Sequence, residues 1–455
     1  MLQVQPEGEI SGEKTNIRQL GILLLFLIIP VILFWNRDIF FILDDWSLLH
    51  LMVGNNLWVY SRMPDGEIFM PVTRVAYYIL IHLFGANIKW LILVNCLLTG
   101  LNAFLVYLIF KGHFKPNLAL ALGILYAVAA VHSATAQMAF YICAILCLSF
   151  FLLSLLFTQN YIRRPSTMTL LAIGLCAWLS VNSWNFSLLG IWTLPIYAAL
   201  FGRAGAKRQL VRLSAVIGLV FLCFTAEYFM FNGLAGATSC NPKLFSQLFS
   251  FSYFGHWVVG SFLAPVDFLF GVECRWRTKI VIGLAILLST VGLIMWAGNR
   301  SERKMCLWGL VVNALPFLLV SLARHHFHYA QAFSDRYGIF TIIGALFILG
   351  AAWQIIAAKM PVRLSPHVVL PLAILAVMIW GQVHTLSETG RSYLQLSQEA
   401  KLRYDYLRDD EVRAKLSAAA ENEKLFFNQN QPIAVHPFLN NGHAVAIYEY
   451  LSKLP

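Results

Sequence analysis

The amino-acid sequence predicts an all-α polytopic membrane protein, a bundle of about 11 transmembrane helices joined by extracytoplasmic loops that carry short helices. Three observations predict it. The chain of 455 residues is 59% hydrophobic and 12% charged, with a mean hydropathy of +0.68. That is more apolar surface than a soluble core can hide, so lipid must cover the rest. Apolar runs long enough to cross the hydrocarbon layer recur along the chain. Basic residues sit in short clusters between those runs, so the formal net charge of +11 reads as membrane topology and not as a nucleic-acid surface.

Taken in order, the predicted spans are residues 19–37, 88–110, 117–137, 138–158, 168–184, 186–202, 212–232, 279–298, 305–323, 337–358 and 366–384. The first apolar run, Gly21 to Trp35, leads into more hydrophobic sequence and then Asp44-Asp45, not into a small-residue cleavage site. It is therefore expected to be retained. With the N-terminus cytoplasmic, the inner connections carry Lys14 and Arg18, Lys111 and Lys115, Arg163 and Arg164, Arg203 to Arg212, Arg300 to Lys304, and Lys359 and Arg363. Every one is basic, as the positive-inside rule requires, and an odd number of spans leaves the C-terminus outside.

Two long segments then face outward, Arg37 to Lys89 and Gly233 to Thr278, with a shorter one from Arg324 to Arg336. Composition turns polar from about Ser387, so the chain is expected to divide into a membrane domain, residues 1–386, and a small polar extracytoplasmic tail, residues 387–455. Cys96, Cys143, Cys147, Cys176, Cys223 and Cys306 lie in or beside apolar segments and read as small packing residues. Cys240 and Cys274 share an outer segment, where an oxidising compartment would permit a disulfide.

Asp44-Asp45 is the sharpest chemical feature, placed where the chain leaves the first span. Adjacent carboxylates beside a membrane are costly to desolvate and usually have a task or a partner. They could take a proton from an acceptor hydroxyl or hold a sugar, a metal or an arginine; the plain alternative is a solvated pair capping the helix that starts at Trp46. Arg336, at the outer start of a late span, can grip a phosphate through two parallel hydrogen bonds, with Asp335 to hold it, or can snorkel to lipid headgroups. His325, His326 and His328 form the densest histidine cluster. His325 and His328 have helical i,i+3 spacing, yet no local Cys or acid completes a zinc set. Arg275 and Arg277 flank Trp276 near the eighth span, a basic and aromatic pair suited to headgroups or to a phosphate.

These residues fall in an order that resembles a family. Phe41-Ile42-Leu43-Asp44-Asp45-Trp46, Pro71-Val72-Thr73, Leu83-Phe84-Gly85, Leu93-Val94-Asn95 through Asn102-Ala103, His132 and Ser334-Asp335-Arg336-Tyr337 look like the successive motifs of GT-C glycosyltransferases. The chain is most similar to bacterial dolichyl- or undecaprenyl-phosphate-sugar transferases and to the O-mannosyltransferases with tetratricopeptide tails. It departs from the pattern at Met70, where the family has Arg and this chain has Arg74 four residues on. It departs again at Gln137, where the family has Glu, and at Ser183-Trp184-Asn185, where the family has Ser-Lys-Glu. No tetratricopeptide array is read in these residues, which argues against the animal members.

The resemblance implies an inverting glycosyltransferase of the bacterial inner membrane with an extracytoplasmic site. A polyprenyl-phosphate-linked sugar is the donor, and an envelope glycan, a lipid or a protein hydroxyl is the acceptor. Asp44 and Asp45 are the implied catalytic acids. Arg336, Tyr337, Arg275 and Arg277 would bind the donor phosphate. His132, Gln137, Arg74, His325, His326, His328 and Asp335 would line the substrate site. No cofactor is required on this reading, a divalent cation stays an open addition, and no nucleic acid is involved. Two other readings share the same residues: a transporter or channel with an outward-facing polar site, and an envelope polysaccharide polymerase or ligase using a diphosphate-linked donor.

Overall fold

A computed structural model describes residues 12–35, 40–41, 44–63, 68–129, 131–132, 138–202, 206–233, 250–270, 275–324, 335–359, 394–395, 397–402, 404–405, 407–418 and 441–454. Helix α1 (Gly12–Phe34) contains Pro30. Three helices follow before the next long one: α2 (Asp44–Met52), α3 (Leu57–Arg62) and α4 (Pro71–Phe84). Asn56 starts α3 by accepting the Val59 N–H at 3.0 Å. Pro71 opens α4 where a helix leaves its N–H unbonded anyway.

Helices α5 (Ile88–Lys111) and α6 (Pro116–Ala127) form a hairpin, and a 3-10 turn (Ala139–Tyr141) leads into α7 (Ile142–Arg163). Next come α8 (Thr167–Ser183), capped by Ser166, the short α9 (Ser187–Gly190), α10 (Thr193–Phe201) and the long α11 (Lys207–Phe231). Helix α12 (Phe251–Val258) widens into a π turn (Val259–Leu263) and continues as α13 (Ala264–Phe270). Three long helices close the bundle: α14 (Trp276–Ala297), α15 (Arg300–Arg324) and α16 (Asp335–Lys359). Two more, α17 (Asp410–Ala418) and α18 (Asn441–Ser452), lie in the polar C-terminal region.

Among the described residues six helices are long and apolar enough to cross a membrane: Ile88–Lys111, Ala139–Arg163, Lys207–Phe231, Arg277–Ala297, Arg300–Leu322 and Tyr337–Ala358. The chain is an integral membrane protein with the expected all-α architecture. Four more predicted spans coincide with the shorter apolar helices Gln19–Phe34, Pro116–Ala127, Thr167–Ser183 and Ser187–Phe201. The span expected at 366–384 and the pair Cys240 and Cys274 lie outside the described residues. The third span ends earlier than expected, because the chain turns at Val128 and the His132 N–H bonds back to the Ala129 carbonyl at 3.0 Å. Helix α4, inside the predicted first outer segment, is as apolar as a span but too short for one. The six cysteines assigned to packing are free thiols, and all but Cys223 are buried.

Helix α16 is the core helix, with 78% of its apolar window buried, against 11% for the lipid-facing α14. Its Phe347 meets the rings of Phe110 at 4.5 Å and Trp308 at 4.7 Å. Helices α15 and α16 touch backbone to backbone at a glycine pair, where a Cβ on Gly309 would lie 2.6 Å from the Gly344 carbonyl oxygen. Small residues permit such an approach, which membrane helices use in place of a hydrophobic driving force.

At the end of the bundle with the α5–α6 turn, Gln159 donates to the Ile109 carbonyl at 3.2 Å and to the Tyr197 hydroxyl at 3.0 Å, beside half-buried His113. Burial first, and Arg163 second, push the His113 imidazole down to about 4, so the ring stays neutral within this network.

Candidate active site

The acidic pair opens α2, where negative charge in a first turn is favoured by the helix dipole. The local fold is pinned from below. Phe41 and Trp46 are fully buried, and the Trp46 indole N–H donates to the Phe41 carbonyl at 2.9 Å. Asp44 is half-buried and Asp45 is buried. The Asp45 Oδ1 accepts the Phe140 backbone N–H at 2.6 Å, so this carboxylate ties α2 to the turn that starts α7. Tyr77 of α4 lies close by. Burial first, then Asp45, then Tyr60 push its phenol well above the usual range, so it remains a protonated hydroxyl.

Helix α4 reaches across to α8. Thr73 Oγ1 donates to the Ser183 carbonyl at 2.6 Å, which joins the Pro71-Val72-Thr73 motif to the Ser183-Trp184-Asn185 motif. Arg74 is buried; its Nη1 donates to the Tyr60 carbonyl at 3.3 Å, and its guanidinium lies 5.7 Å from the Tyr60 ring centre. Trp184 stacks on Phe186 at 5.0 Å and on Tyr337, the first aromatic of α16, at 6.0 Å. Phe317 of α15 closes the same aromatic cluster, 6.0 Å from Tyr337. The end of α8, the end of α15 and the start of α16 therefore meet.

The asparagines of the second span serve the backbone. Asn95 donates to the Met138 carbonyl at 3.0 Å, just before the 3-10 turn, and Asn102 to the Ile145 carbonyl at 3.1 Å, in the first turn of α7. Amides seven positions apart on an apolar helix need such partners. Sequence reasoning recorded these residues as a motif but missed this use. It also missed Tyr77, Thr73 with Ser183, and the ion pair of Asp267 with Lys279 at 2.8 Å. Nothing local in the sequence marks those pairings, since each crosses between elements.

The remaining predicted residues spread out. His132 is buried, with Nε2 at 2.9 Å from the Tyr126 carbonyl and its ring 4.7 Å from Tyr126 and 6.2 Å from Phe34. It packs between the ends of α1 and α6. Tyr337 is buried in the aromatic cluster. Arg275 and Arg277 are exposed at the start of α14. Asp335 and Arg336 begin α16, and their side chains lie outside the described residues, as do Gln137, His325, His326 and His328. Among the described residues no group of three His, Cys, Asp or Glu side chains comes together.

The C-terminal region packs against this site: the Ser397 hydroxyl accepts the Phe40 N–H, and the Tyr404 ring sits 4.9 Å from Phe40 and 6.5 Å from Trp46. His443 of α18 lies 3.9 Å from His50 of α2, ring to ring, and the Tyr450 hydroxyl is 3.2 Å from His82 Nε2 on α4.

No protein-family model and no curated protein matches the chain. Solved structures match its fold. The oligosaccharyltransferase AglB from the archaeon Archaeoglobus fulgidus, in complex with an inhibitory peptide and a dolichol-phosphate, aligns with a TM-score of 0.50 at 13% identity over 95% of this chain. The oligosaccharyltransferase of the same organism tethered with an acceptor peptide containing the NVT sequon gives 0.48 at 14% identity, covering 95% of this chain and 63% of the other. Its complex with Zn and sulfate gives 0.48 at 14% identity, covering 94% and 61%. The chain spans 64% of the length of AglB. The likeness is one of fold.

Proposed function

With that likeness of fold and the motifs of the resemblance as premise, we propose that the chain is an inverting glycosyltransferase of GT-C type that moves a sugar from a polyprenyl-phosphate donor to an acceptor hydroxyl on the extracytoplasmic side of a bacterial inner membrane. The observation that carries the reading is the acidic pair itself: one carboxylate half-buried at the head of α2, the other buried and fixed on the Phe140 N–H. Tyr77 of α4 lies beside Asp45, and the same α4 joins its Thr73 to Ser183 at the end of α8, while Asn95 of α5 bonds to Met138, two residues before the Phe140 that Asp45 holds. AglB was solved with a dolichol-phosphate, which supports a lipid-linked donor.

The differing surroundings divide the labour. Asp44 is the residue that solvent, and so an acceptor, can reach; it takes the proton of the acceptor hydroxyl. The acceptor oxygen then bonds to the anomeric carbon as the bond from that carbon to the phosphate oxygen breaks, with inversion, and the polyprenyl phosphate departs. Asp45 acts as a positioning residue that keeps α2 against the start of α7. Arg336, at the head of α16, stabilises the charge growing on the leaving phosphate, an interaction that strengthens in the transition state. Exposed Arg275 and Arg277 sit where lipid headgroups or the donor phosphate would meet them. Residues 1–386 form the membrane catalytic domain and residues 387–455 the extracytoplasmic tail.

The test is transfer of radiolabelled sugar from a polyprenyl-phosphate donor to membrane acceptors. Asp44→Asn keeps the shape and removes the base, so transfer falls by roughly 10²-fold or more while the protein elutes normally on size exclusion. Arg336→Lys keeps the charge but loses the bidentate grip, and weakens both donor binding and turnover. Normal transfer by both Asp44→Asn and Asp45→Asn would remove the acid-base role and favour the transporter reading.

A further inference from the structure

The end of the bundle away from the acidic pair carries a crevice of about 840 Å³ between the end of α14 and the beginning of α15. One wall is apolar, from Val291 and Met295, one turn apart on α14, and from Leu307 on α15. The other presents Arg300, Arg303 and Lys304. Their spacing of three and four residues puts the three cations on one face of α15, with Leu307 continuing the same stripe.

These charges are not neutralised locally. Arg300 and Arg303 are exposed, and among the described residues neither forms an ion pair. The nearest acid in sequence, Glu302, is buried and turned away: its Oε2 accepts the Asn299 N–H at 2.7 Å, while the Asn299 Oδ1 accepts the Ser301 N–H at 2.8 Å. That cap fixes the start of α15. The Lys304 Nζ donates to the Leu200 carbonyl, which holds its side chain toward α10. Cations in a first turn also stand against the helix dipole, a cost that an anion beside them relieves.

A soluble phosphate would use the cations and leave the apolar wall bare. A neutral lipid would cover the wall and leave the cations unmatched. We propose that the crevice is a binding site for an anionic glycerophospholipid of the leaflet at this end. The phosphate rests on Arg300, Arg303 and Lys304, and an acyl chain runs along Val291, Met295 and Leu307. Guanidinium groups suit a phosphate because they donate two parallel hydrogen bonds, and basic pockets between membrane helices are known places for charged headgroups. The assignment does not depend on the transferase reading.

Native mass spectrometry of the full-length protein, released from nanodiscs of equal phosphatidylglycerol and phosphatidylcholine, tests it. The wild type should retain phosphatidylglycerol over phosphatidylcholine by about tenfold, and Arg300→Gln with Arg303→Gln should abolish that preference. Leu307→Glu, which places an acid in the stripe without touching either arginine, should do the same if the double variant folds poorly. Three results would overturn the proposal: no preference in the wild type, a preference unchanged in both variants, or displacement of phosphatidylglycerol by equimolar polyprenyl phosphate. The last would give the crevice to the lipid carrier.

Discussion

Asp44 and Asp45 are neighbours in sequence but not in circumstance. The Asp45 carboxylate accepts a backbone N–H at 2.6 Å from a segment 95 residues away. Removing it strands that buried donor. Asp45→Ala should therefore cost about 1–3 kcal/mol and lower the unfolding midpoint in detergent, whereas Asp44→Ala should leave that midpoint nearly unchanged. The acidic pair was legible in the sequence because two charges stand out at the end of an apolar run. Which of them faces outward was not, since that depends on the Phe140 N–H. The same holds for Arg74, whose burial against Tyr60 is set by how α3 folds back on α4. His132 was legible as a polar residue at a span end, but its packing against Phe34 and Tyr126 is a property of the assembled helices.

Between elements, the most consequential packing joins the C-terminal region to α2. Burial first, and the His443 ring second, hold the His50 imidazole below its ordinary value of 6.5. A base with a lowered folded-state pKa resists protonation while docked, so the contact is fully held above about pH 6.5 and weakens as the pH falls through the lowered value. Limited proteolysis should accordingly cut the C-terminal region faster at about pH 5 than at about pH 7.5, and His50→Gln should flatten the difference. The apolar runs made the long helices legible, while α4 escaped because its fourteen residues fall short of a span. The meeting of α15 and α16 was also hidden, because a glycine in an apolar run looks like any other small residue. Gly344→Ala would drive a methyl group into the Gly309 carbonyl and the Asn313 side chain, and should destabilise the protein by about 1–3 kcal/mol in detergent unfolding.

For the molecule as a whole, composition and charge alternation were enough to read an all-α membrane protein, because lipid imposes its demands on every span at once. The same alternation predicts a sidedness that can be measured directly. A cysteine introduced near Ser387 should react with an impermeant maleimide added to intact cells, and one near Arg208 should not; the reverse pattern would turn the proposed site toward the cytoplasm. The glycine pair of α15 and α16 has a mechanical consequence. Where two helices meet through their backbones there is no layer of side chains between them, so at Gly309 and Gly344 the pair cannot slide without strain. One end of α15 bears Arg300 and Arg303, and beyond the glycine contact lies Phe317 against Tyr337. Pro316 interrupts the hydrogen-bond ladder between that contact and Phe317, so bending of α15 is expected there and not at the glycine pair.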